Sequence, residues 1–450
     1  MESRATRRLQ KEYEDITRNY GETFQVELQG GSNWQLWYVS FTGAEGTVFA
    51  GERFTLEFKF SASYPIEAPD VVFHGVYPHH EHVYSNGYIC LSILYDDWTP
   101  SLRVSSVALS VLSMLTVEMF ELHDRERFEV YGYCWSPEDG SALRARVIAA
   151  MDHFTRIDTL SDQEAAQKIR ADEIDILIDL QGQTAGARPN MLAYRPAPVQ
   201  ITYLGQPATT GFPFIDYVIA DKFLIPEESA QYYSEKPLYM PDVYQVSDRK
   251  RVAGPKPTRQ SCGLPETGFV FCSFNNNYKL TPEMFDVWMS ILRRVPGSVL
   301  WLLADNPWAE DNLRLEAQAR GIDASRLVFA GRVSPENYLA RYLIADLFLD
   351  SFPFNAGTTA NDALFMGLPV LTCSGWSFAS RMAGALLTAA GCPELICFDL
   401  QSYEEKAVAL AFELHLIEAL NAKLKSAKGN GHLFDSVRFV SSLESILKNL

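Results

Sequence analysis

The sequence predicts an α+β domain at the amino terminus followed by an α/β region built as two Rossmann-like lobes. Three observations carry this reading. Residues 24–74 hold short β-type runs parted by glycine turns, as an antiparallel meander requires. From residue 128 onward, continuous apolar runs of the kind buried in parallel sheets alternate with helical stretches. That alternation occurs twice, on either side of a linker rich in Pro and charge between Pro241 and Thr267. A chain of 450 residues also exceeds one ordinary core and suggests two or three domains.

The elements follow in order. Arg7–Tyr20 reads as a surface helix with a basic first half. Strands are expected at Phe24–Leu28, Trp34–Phe41, Phe54–Phe60 and Asp70–His74, then an irregular loop and an apolar helix over about 104–115. In the first α/β series, strands are expected at Phe128–Tyr133, Ile174–Leu180, Val199–Leu204 and Tyr217–Ala220, with a helix at Ser141–Met151. The second series predicts strands at Phe269–Phe274, Val299–Leu303, Leu327–Phe329, Leu347–Leu349 and Val370–Leu371. Residues after about 405 read as closing helices that cross back to the first lobe. The expected domains are 1–116, 117–245 and 246–450.

Hydrophobic content of 47% is ample for folding, and a formal charge of -17 excludes nucleic acid as the main partner, because a phosphate backbone needs a basic face. The seven cysteines, at 90, 134, 262, 272, 373, 392 and 397, form no CxxC pair and point to a reducing compartment. The charged amino terminus lacks the apolar core of a signal peptide, and no stretch offers about 18 uninterrupted apolar residues. A protein of the cytoplasm, or of the nucleus, with no membrane partner is the expectation.

The segment DSFPFNAGTTANDALFMGLPV, Asp350–Val370, carries the sharpest chemical signal. An apolar strand runs into a turn broken by Pro353, Asn355 and Gly357. Thr358 and Thr359 then stand where an N-cap belongs, ahead of a helix over about Asn361–Met366. Such a helix start offers free N–H groups and the positive end of the macrodipole to an anion, most naturally a phosphate. Asp362, one turn in, is a candidate acceptor for sugar hydroxyls. Lys279, in the polar turn FCSFNNNYKLTP, follows a strand of the same lobe and supplies the cation that a diphosphate needs beside the dipole.

In the amino-terminal region Cys90 closes a loop holding His79, His80 and His82. The histidine spacing matches no standard zinc set and no second cysteine accompanies it, so no metal is expected. Tyr64-Pro65 with Pro69, His80-x-His82, Cys90 and Trp98-Thr99-Pro100 together resemble the core of a ubiquitin-conjugating enzyme (E2), and HVYSNGYICLSIL is closest to W-type members, which modify N-terminal amines. The resemblance implies a UBC-like α+β fold in which Cys90 carries ubiquitin as a thioester. Ile66, Pro100 and Leu102 would face a ligase (E3), and Arg7, Arg8 and Lys11 the activating enzyme (E1). The usual His-Pro-Asn tripeptide reads His80-Glu81-His82 here, and the helices that normally follow the one ending near Leu115 are missing.

The rest resembles the O-linked N-acetylglucosamine transferase family in its bacterial, SPINDLY-like form. The matching phrases are HDRERFEVYGY, SPEDG, DILIDLQGQTAGAR, RPAPVQITYLGQPATTG, YYSEKPLYMPD, SFNNNYKLTP, RLVFAGR, DSFPFNAGTTANDALFMGLPV and GCPELI, in the family's order. This implies a GT-B fold, UDP-N-acetylglucosamine (UDP-GlcNAc) as donor, no metal or other cofactor, and inverting transfer to Ser or Thr hydroxyls of acceptor proteins. By position, Lys279 would stabilise the leaving UDP and Thr358 and Thr359 would hold the same phosphates. Asp362 would bind the ribose, Asn276 would lie near the nucleotide, Tyr338 would lie against uracil, and His153 would line the acceptor side. Gly357 and Gln183 stand where other members have His. The apolar strand that opens the first lobe in the family is absent, so that lobe is expected to lack its initial strand. The resemblances leave three readings: a glycosyltransferase, a ubiquitin-conjugating enzyme acting through Cys90, or a catalytically degenerate protein that holds UDP or a partner.

Overall fold

The computed structural model describes residues 9, 25–29, 33–42, 53–59, 70–73, 118–136, 142–184, 187–304, 307–331 and 333–450. The chain divides into two compact units, residues 1–109 with 136–139 and residues 110–135 with 140–450.

The first unit contains a four-stranded antiparallel sheet in chain order, β1 (Gln25–Gln29), β2 (Asn33–Thr42), β3 (Arg53–Lys59) and β4 (Asp70–Phe73). Trp37 pairs with Leu28 on one side and Phe58 on the other, so the two-residue side-chain period gathers these three on one face, with Trp37 buried. Cys90, the histidines at 79, 80 and 82, and the residues expected to face E1 and E3 (Arg7, Arg8, Lys11, Ile66, Pro100, Leu102) lie outside the described residues.

In the second unit the first lobe holds β5 (Tyr131–Cys134), α1 (Ala142–Ala149), β6 (His153–Arg156), α2 (Asp162–Ala171), β7 (Ile176–Asp179), α3 (Pro189–Ala193), β8 (Val199–Thr202), β9 (Tyr217–Ala220) and β10 (Lys236–Tyr239). Its strands form two separate parallel ladders, β5-β6 and β10-β9-β8-β7. This is the break expected of a lobe without its initial strand. Among the described residues nothing pairs with the free side of β7, and every residue of β7 is partly exposed although its sequence, ILID, is that of a buried strand. The two ladders share a small core instead. Tyr133 and Leu177 pack with Ile157, Ala165, Ile169 and Met191, on a helix α2 closed by a Ser161–Glu164 capping box.

The second lobe holds β11 (Val270–Ser273), α4 (Pro282–Arg294), β12 (Val299–Leu303), α5 (Pro307–Ala319), β13 (Leu327–Ala330), α6 (Pro335–Arg341), β14 (Leu347–Leu349), α7 (Thr358–Phe365), β15 (Val370–Cys373), α8 (Met382–Ala389) and β16 (Ile396–Cys397), then α9 (Leu400–Phe412), α10 (Leu414–Asn430) and α11 (Ser436–Leu447). Its parallel sheet is unbroken, in the order β13-β12-β11-β14-β15-β16. This doubly wound order reverses between β11 and β14, and sheets of this kind bind ligands outside the carboxyl ends of the strands at such a reversal.

Buried polar contacts join the lobes. The closing helix α11 returns to the first lobe, as expected: Phe439 stacks on Tyr203, Ser436 donates to Glu118 at 2.8 Å, and Glu444 accepts from the Asp124 amide at 2.8 Å. Arg381 of the second lobe donates to the carbonyl of Phe223 in the first at 2.6 Å and lies over its ring. Phe223 fits only because residue 384 is glycine: a Cβ there would stand 2.4 Å from the ring and 2.7 Å from Ser374 Oγ. Gly384→Ala is therefore expected to cost about 1–3 kcal/mol through overpacking, read as a lower urea midpoint.

Candidate active site at the strand-order reversal

Lys279 is delivered by a short 3₁₀ turn, Asn277–Lys279, directly after β11, and the 350–357 loop leaves β14 beside it. The ammonium donates to the carbonyl of Asn355 at 3.1 Å and lies 4.1 Å from the centre of the Phe354 ring. From the same turn Asn275 accepts from the Thr359 hydroxyl at 2.7 Å and donates to Ser351 Oγ at 3.0 Å. Lys279 thus meets the 350–357 loop, and Thr359 is tied through Asn275 to the segment that carries the lysine. The helix start differs in detail. Gly357 is the N-cap, and Thr358 and Thr359 are the first two residues of α7. Both are partly exposed, and no side chain caps the helix, so its first N–H groups have no side-chain acceptor.

Asp350 organises the loop. It is fully buried, and its carboxylate accepts from the amides of Ser351 at 2.8 Å and Ala356 at 2.7 Å and from the Thr372 hydroxyl at 2.7 Å. Burial pushes this carboxyl up to about 7 against those hydrogen bonds and the nearby Lys279 charge, and burial brings Lys279 down to about 8. Asp362 is also buried and raised to about 6 by burial, against its ion pair with Arg251; Arg251 in turn donates to Asn361 at 2.9 Å.

The remaining expected residues are placed as follows. Tyr338 lies on α6, half-buried, its hydroxyl 2.5 Å from that of Tyr342, which donates to the Thr359 carbonyl at 3.3 Å. Asn276 is exposed, and it is the preceding Asn275 that reaches across the crevice. His153 opens β6 and is exposed. Its ring is 2.6 Å from Glu129 and stacks on Tyr131, and no hydrogen bond or ring contact joins it to the Lys279 group among the described residues.

Asn275, Asp350 and Arg251 were not singled out from the sequence. Asp350 had a readable signal: an acidic residue at the carboxyl end of an apolar strand, at the edge of a glycine-bearing turn. Arg251 had none, because it stands in a charged run that reads as solvated linker. In the structure residues 243–248 of that run are buried, and the segment lies along α7, with Asn361 donating to Ser247 at 2.6 Å.

Two α/β lobes, the second doubly wound with Lys279 and the start of α7 near its strand-order reversal, define a GT-B type protein. The chain belongs to Glycosyl transferase family 41, whose profile matches residues 104–254 and 255–443; a ubiquitin-conjugating enzyme profile matches residues 8–122. It is 38% identical over 340 residues to the probable UDP-N-acetylglucosamine-peptide N-acetylglucosaminyltransferase SEC of Arabidopsis thaliana, covering 74% of this chain and 35% of that protein. It is 29% identical to the UDP-N-acetylglucosamine-peptide N-acetylglucosaminyltransferase of Caenorhabditis elegans, covering 72% and 38%. A variant O-GlcNAc transferase of Thermobaculum terrenum superposes with a TM-score of 0.71 at 30% identity, over 76% of this chain and 65% of that one. The chain thus spans little more than a third of the length of these two curated relatives. Among the described residues no helix is long and apolar enough to cross a membrane.

Three shifted ionisations at the site contribute to the pH response of the ligand-free fold. Asp350, and Asp362 with it, binds its proton more tightly folded than unfolded, so stability falls as pH rises from about 4 to about 7. Lys279 binds its proton less tightly folded, so stability rises again from about 8 towards 10.5. Urea midpoints across this range should trace a shallow minimum near neutrality, and Asp350→Asn should flatten the acid limb.

Proposed function

We propose that the second unit transfers N-acetylglucosamine from UDP-GlcNAc to Ser or Thr hydroxyls of acceptor proteins, with inversion and without a metal or other cofactor. The observation that carries this is the convergence of Lys279 and the uncapped start of α7 on the 350–357 loop. The acceptor hydroxyl oxygen attacks the anomeric carbon and gives its proton to water, the bond from that carbon to the phosphate oxygen breaks, and its electron pair leaves on UDP. Negative charge then develops on the diphosphate, where an ammonium and the positive end of a helix replace the usual divalent cation. Asp362 and Tyr338 take the nucleoside, Asn276 lies beside it, and Thr358 and Thr359 hold the phosphates. His153, open to solvent beside Glu129, lines the acceptor side.

UDP should raise the melting temperature of the wild type, and Lys279→Ala should weaken UDP binding by about 1.5–3 kcal/mol, roughly 10- to 100-fold. Because burial lowers the Lys279 pKa to about 8, affinity should fall as pH passes that value, whereas Lys279→Arg should hold it to higher pH. A wild type whose melting is indifferent to UDP sinks the reading.

A second reading rests on the ubiquitin-conjugating profile over residues 8–122. We propose that Cys90 accepts ubiquitin from an activating enzyme and presents it to a ligase-bound target. Incubation with E1, ATP and ubiquitin should yield an adduct that dithiothreitol removes and Cys90→Ala never forms; a dithiothreitol-sensitive adduct that persists in Cys90→Ala contradicts it.

A further inference from the structure

The start of α7 is lined by two side chains that the proposed chemistry has not used. Tyr244 and Gln245 belong to the segment between the lobes and are 3% and 2% exposed. The Tyr244 hydroxyl and Gln245 Nε2 are buried without any hydrogen-bond partner. A methyl built on Gly357, the N-cap of α7, would meet the Tyr244 hydroxyl at 3.8 Å and Gln245 Oε1 at 3.9 Å, with only the Met382 sulfur closer, at 3.6 Å. Both polar ends therefore border the N-cap.

Native proteins pair nearly all buried polar atoms, because leaving one unpaired forfeits its hydration for nothing. An unpaired hydroxyl beside the helix start and an unpaired amide on the next residue, both on the segment between the lobes, call for an acceptor that arrives from outside. We propose that Tyr244 and Gln245 are donor-binding residues whose hydroxyl and amide donate to the diphosphate oxygens of the nucleotide sugar, completing the grip that Lys279 and the threonines begin. The inference rests on the proposed glycosyltransferase reading and adds to it a contribution from the segment between the lobes. A phosphate oxygen is favoured over a sugar hydroxyl because both groups offer a hydrogen. Burial holds the Tyr244 phenol well above its ordinary pKa, so it remains a donor. The unpaired Asn355 Oδ1 on the loop beneath Lys279 is an acceptor and suits a ligand hydroxyl instead.

The test compares UDP with uridine by calorimetry in the full chain. Tyr244→Phe and Gln245→Met should each weaken UDP about tenfold, as loss of one hydrogen bond to a charged group predicts, and leave uridine unchanged. Tyr244→Phe should also leave the ligand-free melting temperature equal or higher, since it removes an unpaired hydroxyl. If the wild type binds UDP and both variants bind it equally well, the inference is wrong while the proposed function stands. If the wild type binds no UDP, both fall. Should Gln245→Met fail to fold, Tyr244→Phe, which removes a single oxygen, decides alone.

Discussion

A carboxylate buried where the order of strands reverses is costly to desolvate, and Asp350 meets that cost with two backbone amides, a threonine hydroxyl and a nearby lysine. Each of those bonds also shapes the site. The amides of Ser351 and Ala356 wrap the loop around the carboxylate, which turns the Asn355 carbonyl towards Lys279 and sets Gly357 at the start of α7. Thr372 ties the same carboxylate to β15, and Tyr403 on α9 holds the Asp350 carbonyl from below at 3.0 Å. The loop is therefore held by the sheet and by the helix packed beneath it.

That arrangement leaves the ligand-free crevice electrostatically unfinished. Burial works against the charged forms of both Lys279 and Asp350, and the unpaired Tyr244 hydroxyl borders the N-cap. In the proposed chemistry an incoming diphosphate would supply negative charge to the lysine and acceptors to the donors, so one ligand would relieve several of these groups together. Preorganised donors in a site closed to bulk water stabilise developing charge more than flexible surface groups do, because they need not reorient as the bond breaks.

Much of this was legible in the sequence. The apolar runs at Tyr217–Ala220, Val299–Leu303 and Leu347–Leu349 match their strands residue for residue, because a parallel strand buried on both faces has no choice but to be apolar. Three short strands were not legible. β6 reads HFTR and lies partly exposed; β10 carries Pro237, tolerated because that strand is the edge of its sheet; and β16 is only two residues long. At the site, Lys279 and the threonines could be read because a lysine after one strand and hydroxyls after another are local patterns. That Asn275, one position before the expected Asn276, spans the crevice follows from how the chain turns after β11, and single-residue phase is what local pattern cannot fix. The segment 243–251 reads as linker because its charge is typical of solvent, whereas its charges are spent on Asp362, Glu118 and Glu121.

The two lobes differ in completeness, and this bears on which steps depend on which. The donor-side groups identified here stand on an unbroken six-stranded sheet and on the segment lying along α7. None is supplied by β5, β6 or β7, where the first lobe is divided. Arg251 links the two halves of this logic: it holds Asp362 and Asn361 on α7 from a segment that Glu118 and Ser436 secure to the start and end of the unit. Under the proposed reading, grip on the nucleotide would be insulated from the divided sheet. Alignment of an acceptor hydroxyl would not be, because among the described residues the two ladders of the first lobe share only a small core with α2 and α3 beside it.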